Sequence, residues 1–364
     1  MPAFTSFVDQ IDLTLQEPRD QIEEGERINA FWAVFVMDRC LAVMFGPPLV
    51  ISDMDSPGMH IDTPWPLEME TYERVRILGF IAHVESLTSR RFQGQIYPNL
   101  RTSGTVRSFF SGMNNGWPWE NQNPLTQLSK AAALFERAAR LAATWRPGAL
   151  PLPSSNIPPI DSLEEIPNIG SFYSDFVAVE QRIDEFKSQL TPLDRVPSHH
   201  VPLVHLAYCL SNGATIQLHA TFSSQNTGSR AKCLSAAMAI VRANQAAHVQ
   251  QYTSLSPILG VSFGYSLRIS HFAFRISDVS DVPPQSLWAA SGRVIVNEIV
   301  ARRSFHAEQA PSPQQRDTEL RSALEQIQSV MVAPASRCAL MSSSPFSKSC
   351  PVYLSCAHSW QTIT

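Results

Sequence analysis

ERINAFWAVFVMDRCLAVMFGPPLVISDMDSPGMHIDTPWP, residues 26–66, is the stretch from which the fold is read. Its first half sends bulky apolar side chains in every direction of a helical wheel: Phe31, Trp32, Phe35, Val36, Met37, Leu41, Val43, Met44 and Phe45. A helix apolar all round is predicted to lie buried at the centre of its domain. Asp38 and Arg39 interrupt the run, and a charge taken into a core needs a partner or costs several kcal/mol. At about 100° per residue, Arg27, Phe31, Val34 and Asp38 share one stripe and Ile28, Trp32 and Arg39 another, so the two charges are expected to face different neighbours. Gly46 suits the left-handed conformation that ends a helix, and Pro47 and Pro48 block continuation. The acidic loop beyond offers Asp53, Asp55 and Asp62 as carboxylates within reach of Arg39.

Composition narrows the class. A chain of 364 residues, 44% hydrophobic, can bury a substantial core. With 28 basic and 32 acidic residues the net charge is -4, which gives no general attraction for nucleic acid or an anionic membrane. The basic pairs Arg90 with Arg91 and Arg302 with Arg303 read as solvated helix ends rather than phosphate clamps. Six cysteines, Cys40, Cys209, Cys233, Cys338, Cys350 and Cys356, contain no Cys-x-x-Cys pair and so offer no zinc cluster. Without a signal peptide or a glycosylation sequon, the expected setting is intracellular. The most apolar stretch, 28–45, holds Asn29, Asp38 and Arg39, which argues against a membrane span.

The remainder reads as a succession of helices. Val75, Leu78, Ile81 and Val84 recur at helical spacing and predict a helix over 68–91. Residues 124–145, rich in Ala, Leu, Arg and Glu, predict an amphipathic helix with Leu128, Ala131, Leu134 and Phe135 on one face. Residues 146–170 are dense in proline and read as a long exposed linker. Helices follow over 172–190, as a pair within 201–247, and over 255–276, 287–305 and 316–332. The Ser- and Pro-rich tail from 333 onward has the composition of disorder. The predicted class is all-α: a multi-helix domain with a proline-rich linker and a disordered C-terminal tail.

The ordered set Glu26, Arg27, Phe31, Trp32, Asp38, Arg39, Gly46, Pro48, Ile51, Asp55, Ile61, Asp62, Pro64 and Pro66 resembles the regulatory domain, or middle homology region, of fungal-specific binuclear zinc-cluster transcription factors. A second stretch, VPLVHLAYCLSNGATIQLHATFSSQNTGSRAKCLSAAMAIVRANQAA (201–247), resembles that family's paired helices at Leu218, His219, Ser229, Cys233, Ala236 and Ala237. Two positions depart from the pattern: Pro47 stands where the family usually has Arg, and Ala42 where it has a small hydroxyl residue. The resemblance lapses over 75–94 and resumes over 95–110 (QIYPNLRTSGTVRSFF), so 75–94 reads as an insertion or as translated intron sequence.

That resemblance implies one helical regulatory domain over 1–332, N-terminally incomplete against the family, and a tail over 333–364. It implies control of DNA-templated transcription in the nucleus, through the transcription machinery, a full-length relative or a small-molecule effector. It implies no catalysis, no cofactor and no metal site in this chain. The family's zinc and its DNA contacts belong to a module that these residues do not contain. A truncated, nonfunctional product is a further reading.

Three constellations compete with that reading. Gly260, Ser262 and Gly264 fit a G-x-S-x-G nucleophile elbow, with Asp278 or Asp281 and then His306 in the chain order of an α/β hydrolase. That elbow must join a strand to a helix beneath an oxyanion loop, and neither is predicted, so a serine hydrolase built on Ser262 stands as the alternative. Asp53, Asp55 and Asp62 lack the spacing of a calcium loop. His205 and His219, on predicted helices without a carboxylate pattern, read as hydrogen-bonded core histidines, and an interhelical pocket lined by Phe, Trp and Met would look the same as plain core.

Overall fold

Asp20 starts the first helix by accepting a hydrogen bond from the Glu23 amide, while Glu23 and Glu24 in the first turn suit the positive end of the helix dipole. Helix α1 then runs Gln21–Phe45 and closes at Gly46, whose φ of 75° is the left-handed value that glycine adopts without a Cβ penalty. The computed structural model describes residues 16–51, 61–74, 105–112, 123–145, 169–249, 287–306 and 314–332. Within them follow α2 (Thr105–Phe110), α3 (Pro124–Thr144), α4 (Ile169–Gln189), α5 (Val201–Ala220), α6 (Thr227–Ala246), α7 (Leu287–His306) and α8 (Gln314–Val332). A single 3-10 turn, Leu193–Arg195, links α4 to α5. The fold is all-α, with no strand among the described residues.

The centre is not where the sequence places it. Helix α3 is the inner helix. Ala131, Ala132, Leu134 and Ala138 are fully buried, and Ser129, Lys130 and Glu136 on other faces are buried too. Helix α3 packs most extensively on α5, then on α1, with α2 and α4 also against it. The physical reason is size: Ala131, Ala132 and Ala133 let neighbouring backbones approach from several sides, so burial all round needs small residues as well as apolar ones. Helix α1 lies on the outside. Its Trp32, Phe35, Val36, Arg39 and Cys40 are buried, whereas Ala30, Ala33, Val34 and Met37 face outward, Val34 being 58% exposed and Met37 45%.

The other predictions divide by region. The amphipathic face Leu128, Ala131, Leu134 and Phe135 is buried, and α3 starts where Asn123 caps the Thr126 amide with Pro124 in the first turn. The paired helices within 201–247 are α5 and α6, joined by a short turn that Asn226 closes by capping the Ser229 amide. Residues 69–74 begin the helix expected over 68–91. The rest of that helix, residues 75–94, the proline-dense 146–168, the expected helix 255–276 and the tail 333–364 lie outside the described residues. Helices α7 and α8 pack on each other and on α6, burying Ile295, Ile299, Leu320, Leu324 and Ile327.

Gly25 lets Tyr72 dock on α1. A Cβ at that position would meet the buried Tyr72 ring at 2.6 Å. Alanine is about 1 kcal/mol better than glycine in a helix interior, yet overpacking costs about 1–3 kcal/mol. Gly25→Ala is therefore expected to lower the denaturant midpoint, and an unchanged or higher midpoint would show that the Tyr72 ring yields freely.

Candidate functional site

The segment 61–67, Ile-Asp-Thr-Pro-Trp-Pro-Leu, has no regular structure and buries Ile61, Trp65, Pro66 and Leu67, and backbone groups taken inside with them would be costly if left unpaired. Pro64 and Pro66 solve half of that problem because neither has an N–H to satisfy. Side chains and backbone from several helices solve the rest. Trp32 Nε1 donates to the Pro64 carbonyl at 2.7 Å, and Thr126 Oγ1 to the Pro66 carbonyl at 2.8 Å. The Thr105 amide donates to the Ile61 carbonyl at 2.8 Å, Thr105 Oγ1 to the Thr63 carbonyl at 2.9 Å, and the Leu67 amide to Tyr72 Oη at 3.2 Å. Trp65 stacks on Trp32 with centroids 4.3 Å apart and meets Phe109 edge-on. Lys130 Nζ sits 4.9 Å above the Trp65 ring, and the Arg182 guanidinium lies 4.7 Å from the Phe109 centroid while donating to that residue's carbonyl.

The two charges of α1 act on different things. Asp38 accepts from the amides of Val50 and Ile51 at 3.0 and 3.1 Å, which folds the chain after Gly46 back against the helix. Arg39 is fully buried, with its guanidinium 4.5 Å from the Phe35 centroid. They are not fully separated as the helical wheel suggests, since Arg39 Nη1 lies 4.0 Å from Asp38 Oδ2. Of the three loop carboxylates, Asp62 is solvent-exposed, and Asp53 and Asp55 lie outside the described residues. Arg27 donates to the Gln16 carbonyl and, at 2.7 Å, to Glu23, while Phe31 meets Trp32 edge-on. Glu26 and Pro48 are exposed.

The second region is a polar seam where α4, α5 and α6 meet. His219 Nε2 is 2.7 Å from Glu180 Oε1 and its Nδ1 3.1 Å from Ser229 Oγ, and Lys232 shares the same Glu180 oxygen. Nε2 faces the Glu180 carboxylate as a charge contact, and Nδ1 shares a hydrogen bond with the Ser229 hydroxyl whose direction follows the ring's tautomer. Burial lowers the His219 pKa, with Glu180 pulling the other way. The order carboxylate, imidazole, hydroxyl is that of a serine triad with the two ring nitrogens exchanged, and Nε2 meets Glu180 by distance without hydrogen-bond alignment. Its chemistry is blocked by access, since Ser229 is 8% exposed and His219 3%, and Phe176 covers the ring edge-on at 5.1 Å. The seam continues at Lys187, which donates to Thr215 at 2.5 Å and whose ammonium burial pushes down to about 8. Leu218 and Cys233 are buried beside it, and burial raises the Cys233 thiol to about 12, which keeps it protonated and inert.

Deeper in the bundle, His205 Nε2 lies 2.9 Å from Asn244 Oδ1 and 3.4 Å from Cys209 Sγ. Burial pushes the Cys209 thiol up to about 12 and the His205 imidazolium down to about 4, so both are neutral and no thiolate-imidazolium pair forms. The sign of the pH dependence follows. In the unfolded chain a histidine protonates near 6.5, whereas folded His205 resists protonation until about 4, so the unfolded state binds more protons between those values. The stability this group contributes is complete above 6.5 and is lost as the pH falls toward 4, with a slope of up to about 1.4 kcal/mol per pH unit. Urea midpoints across pH 7 to 4.5 are expected to fall more steeply for the parent than for His205→Gln.

Among the described residues no group of three or more His, Cys, Asp or Glu side chains is placed to hold a metal ion, and no helix is long and apolar enough to cross a membrane. Ser262, Asp278 and Asp281 lie outside the described residues, and so does the side chain of His306. The partners that complete these networks, Glu180, Lys187, Asn244, Lys130, Thr105 and Thr126, carry no signal in the sequence, because each pairing spans tens of residues. Comparison with protein-family models, with characterised proteins and with solved structures gives no match to this chain.

Proposed function

We propose that this chain is an all-helical regulatory domain of the fungal zinc-cluster transcription factor type, acting on DNA-templated transcription in the nucleus through protein contacts. What carries the reading is the work done by the signature residues. Trp32, Pro64 and Pro66 pin the irregular segment 61–67 against the helices, Asp38 and Gly46 turn the chain back on α1, and Leu218, His219 and Cys233 lie in or beside the α5–α6 seam. A chance match of residue types would scatter over unrelated surface positions. Division into a helical domain over 1–332 and a tail over 333–364, with a proline-rich linker between α3 and α4, belongs to the same reading. So does reliance on a separate module for zinc and for DNA.

A reporter assay tests it. The full chain, fused to an unrelated sequence-specific DNA-binding domain, is expected to change transcription several-fold in a fungal host, and the same fusion carrying Arg39→Ala should lose that effect. Output equal to that of the DNA-binding domain alone would defeat the proposal. The purified chain should show neither stoichiometric zinc after dialysis nor sequence-selective retardation of DNA. Fluorophosphonate labelling that vanishes in Ser262→Ala would install the hydrolase alternative instead.

A further inference from the structure

We propose that Lys187 is a site of reversible carbon dioxide binding, its side-chain amine forming a carbamate in the seam between α4, α5 and α6. Of the chain's 28 basic residues only Lys130, Lys187, Lys232 and Lys348 are lysines. The distinction matters inside a protein, because a guanidinium keeps its proton whereas a buried ammonium can give one up and become a nucleophile. Lys130 lies over the rings of Trp65 and Phe109, and Lys232 is paired with Glu180, settings that favour the cation. Lys187 is placed differently. It is half-buried, its Nζ lies 2.5 Å from Thr215 Oγ1 across the seam, and no carboxylate among the described residues is within ion-pair distance of it. A hydroxyl accepts from an ammonium and donates to the lone pair of a neutral amine, so Thr215 holds either form.

The charges around the amine set what it can take up. Burial lowers its pKa to about 8, with Asp184 on α4 opposing that shift and Lys232 on α6 adding to it. At a pH of about 7.4 roughly a fifth of such an amine is neutral, against less than about a thousandth for an ordinary lysine. The neutral nitrogen attacks the carbon of carbon dioxide, a C–N bond forms, one C–O π pair moves onto oxygen, and a nitrogen-bound proton passes to water. Amine and carbon dioxide become carbamate and a proton, with no further reactant. The product carries a negative charge, so Lys232 turns from a repelling neighbour into a partner, and the Thr215 hydroxyl can donate to a carbamate oxygen. Asp184 is exposed, where solvent screens its repulsion. Pressed against Thr215, itself 7% exposed, the amine favours an uncharged electrophile of three atoms over a bulky acyl donor.

Trapping tests this. The purified full chain is equilibrated with isotope-labelled bicarbonate near neutral pH, carbamates are fixed as ethyl esters with triethyloxonium, and each lysine peptide is read by mass spectrometry. Lys187 is expected to carry roughly tenfold more adduct, or more, than any of the other three lysines. Lys232→Met, with helix content unchanged, should lower the Lys187 adduct severalfold, and Lys232→Arg should retain it. Cyanate, which carbamoylates neutral amines irreversibly, measures the nucleophilicity of the same nitrogen without any carbamate to stabilise, and should also modify Lys187 first. Equal trapping at all four lysines overturns the proposal. So does fast reaction with cyanate at Lys187 without a trapped carbon dioxide adduct, or an adduct that Lys232→Met leaves unchanged.

Discussion

Arg39→Ala is expected to cost about 3 kcal/mol or more, the range for removing one member of a buried charged cluster. Among the described residues Arg39 is the charged side chain with no exposure at all, and it lies against Phe35 and beside Asp38. Truncation removes the cation-ring contact, empties the volume of a long side chain and leaves polar groups without the charge they face in a low-dielectric interior. Arg39→Lys should recover part of the loss and not all, because an ammonium keeps the charge without the planar fork. Urea unfolding followed by tryptophan fluorescence measures both. A loss below about 1 kcal/mol, the range of exposed ion pairs, would mean that Arg39 is solvated in solution.

The other large effect belongs to Trp32. Trp32→Ala is expected to destabilise by about 3–5 kcal/mol, since it deletes a fully buried indole and leaves a cavity next to Trp65. Trp32→Phe separates the contributions. It keeps most of the apolar volume but removes the donor to the part-buried Pro64 carbonyl, at a cost of about 1 kcal/mol where water is kept out. If Trp32→Phe is neutral, water reaches that carbonyl and the clasp on residues 61–67 is weaker than its 2.7 Å geometry indicates. A double-mutant cycle with Trp65→Leu should give a coupling of about 0.5–1.5 kcal/mol for the stacked pair.

Some of this was legible in the residues and some could not be. Helix ends were, because their determinants are local: Gly46 stops α1, Asn123 and Pro124 start α3, and Asn226 starts α6. The identity of the central helix was not. Counting apolar residues ranks α1 above α3, but close packing on several sides selects the small side chains Ala131 to Ala133 over Val34 and Met37. The burial of Arg39 follows from its apolar neighbours, whereas the contact of His219 with Glu180 needs the register of two helices that no local pattern encodes. Trp32, Pro64 and Pro66 drew notice through a resemblance in residue order. Why prolines occupy a partly buried segment without regular structure became clear only with the side chains that satisfy its carbonyls.

The outer position of α1 against an inner α3 has a consequence for the chain while it is being made. The Trp32 and Phe35 face is translated first, and α3, against which it packs, is finished only at Thr144, about a hundred residues after Phe45. At the usual elongation rates of about 5–20 residues per second, that face waits roughly 5–20 seconds for its cover. The α5–α6 pair, joined by a turn of a few residues, closes as soon as it emerges. The nascent chain thus carries Trp32 and Phe35 without the α3 face that buries them through about a hundred residues of synthesis, with Trp65 as an early cover.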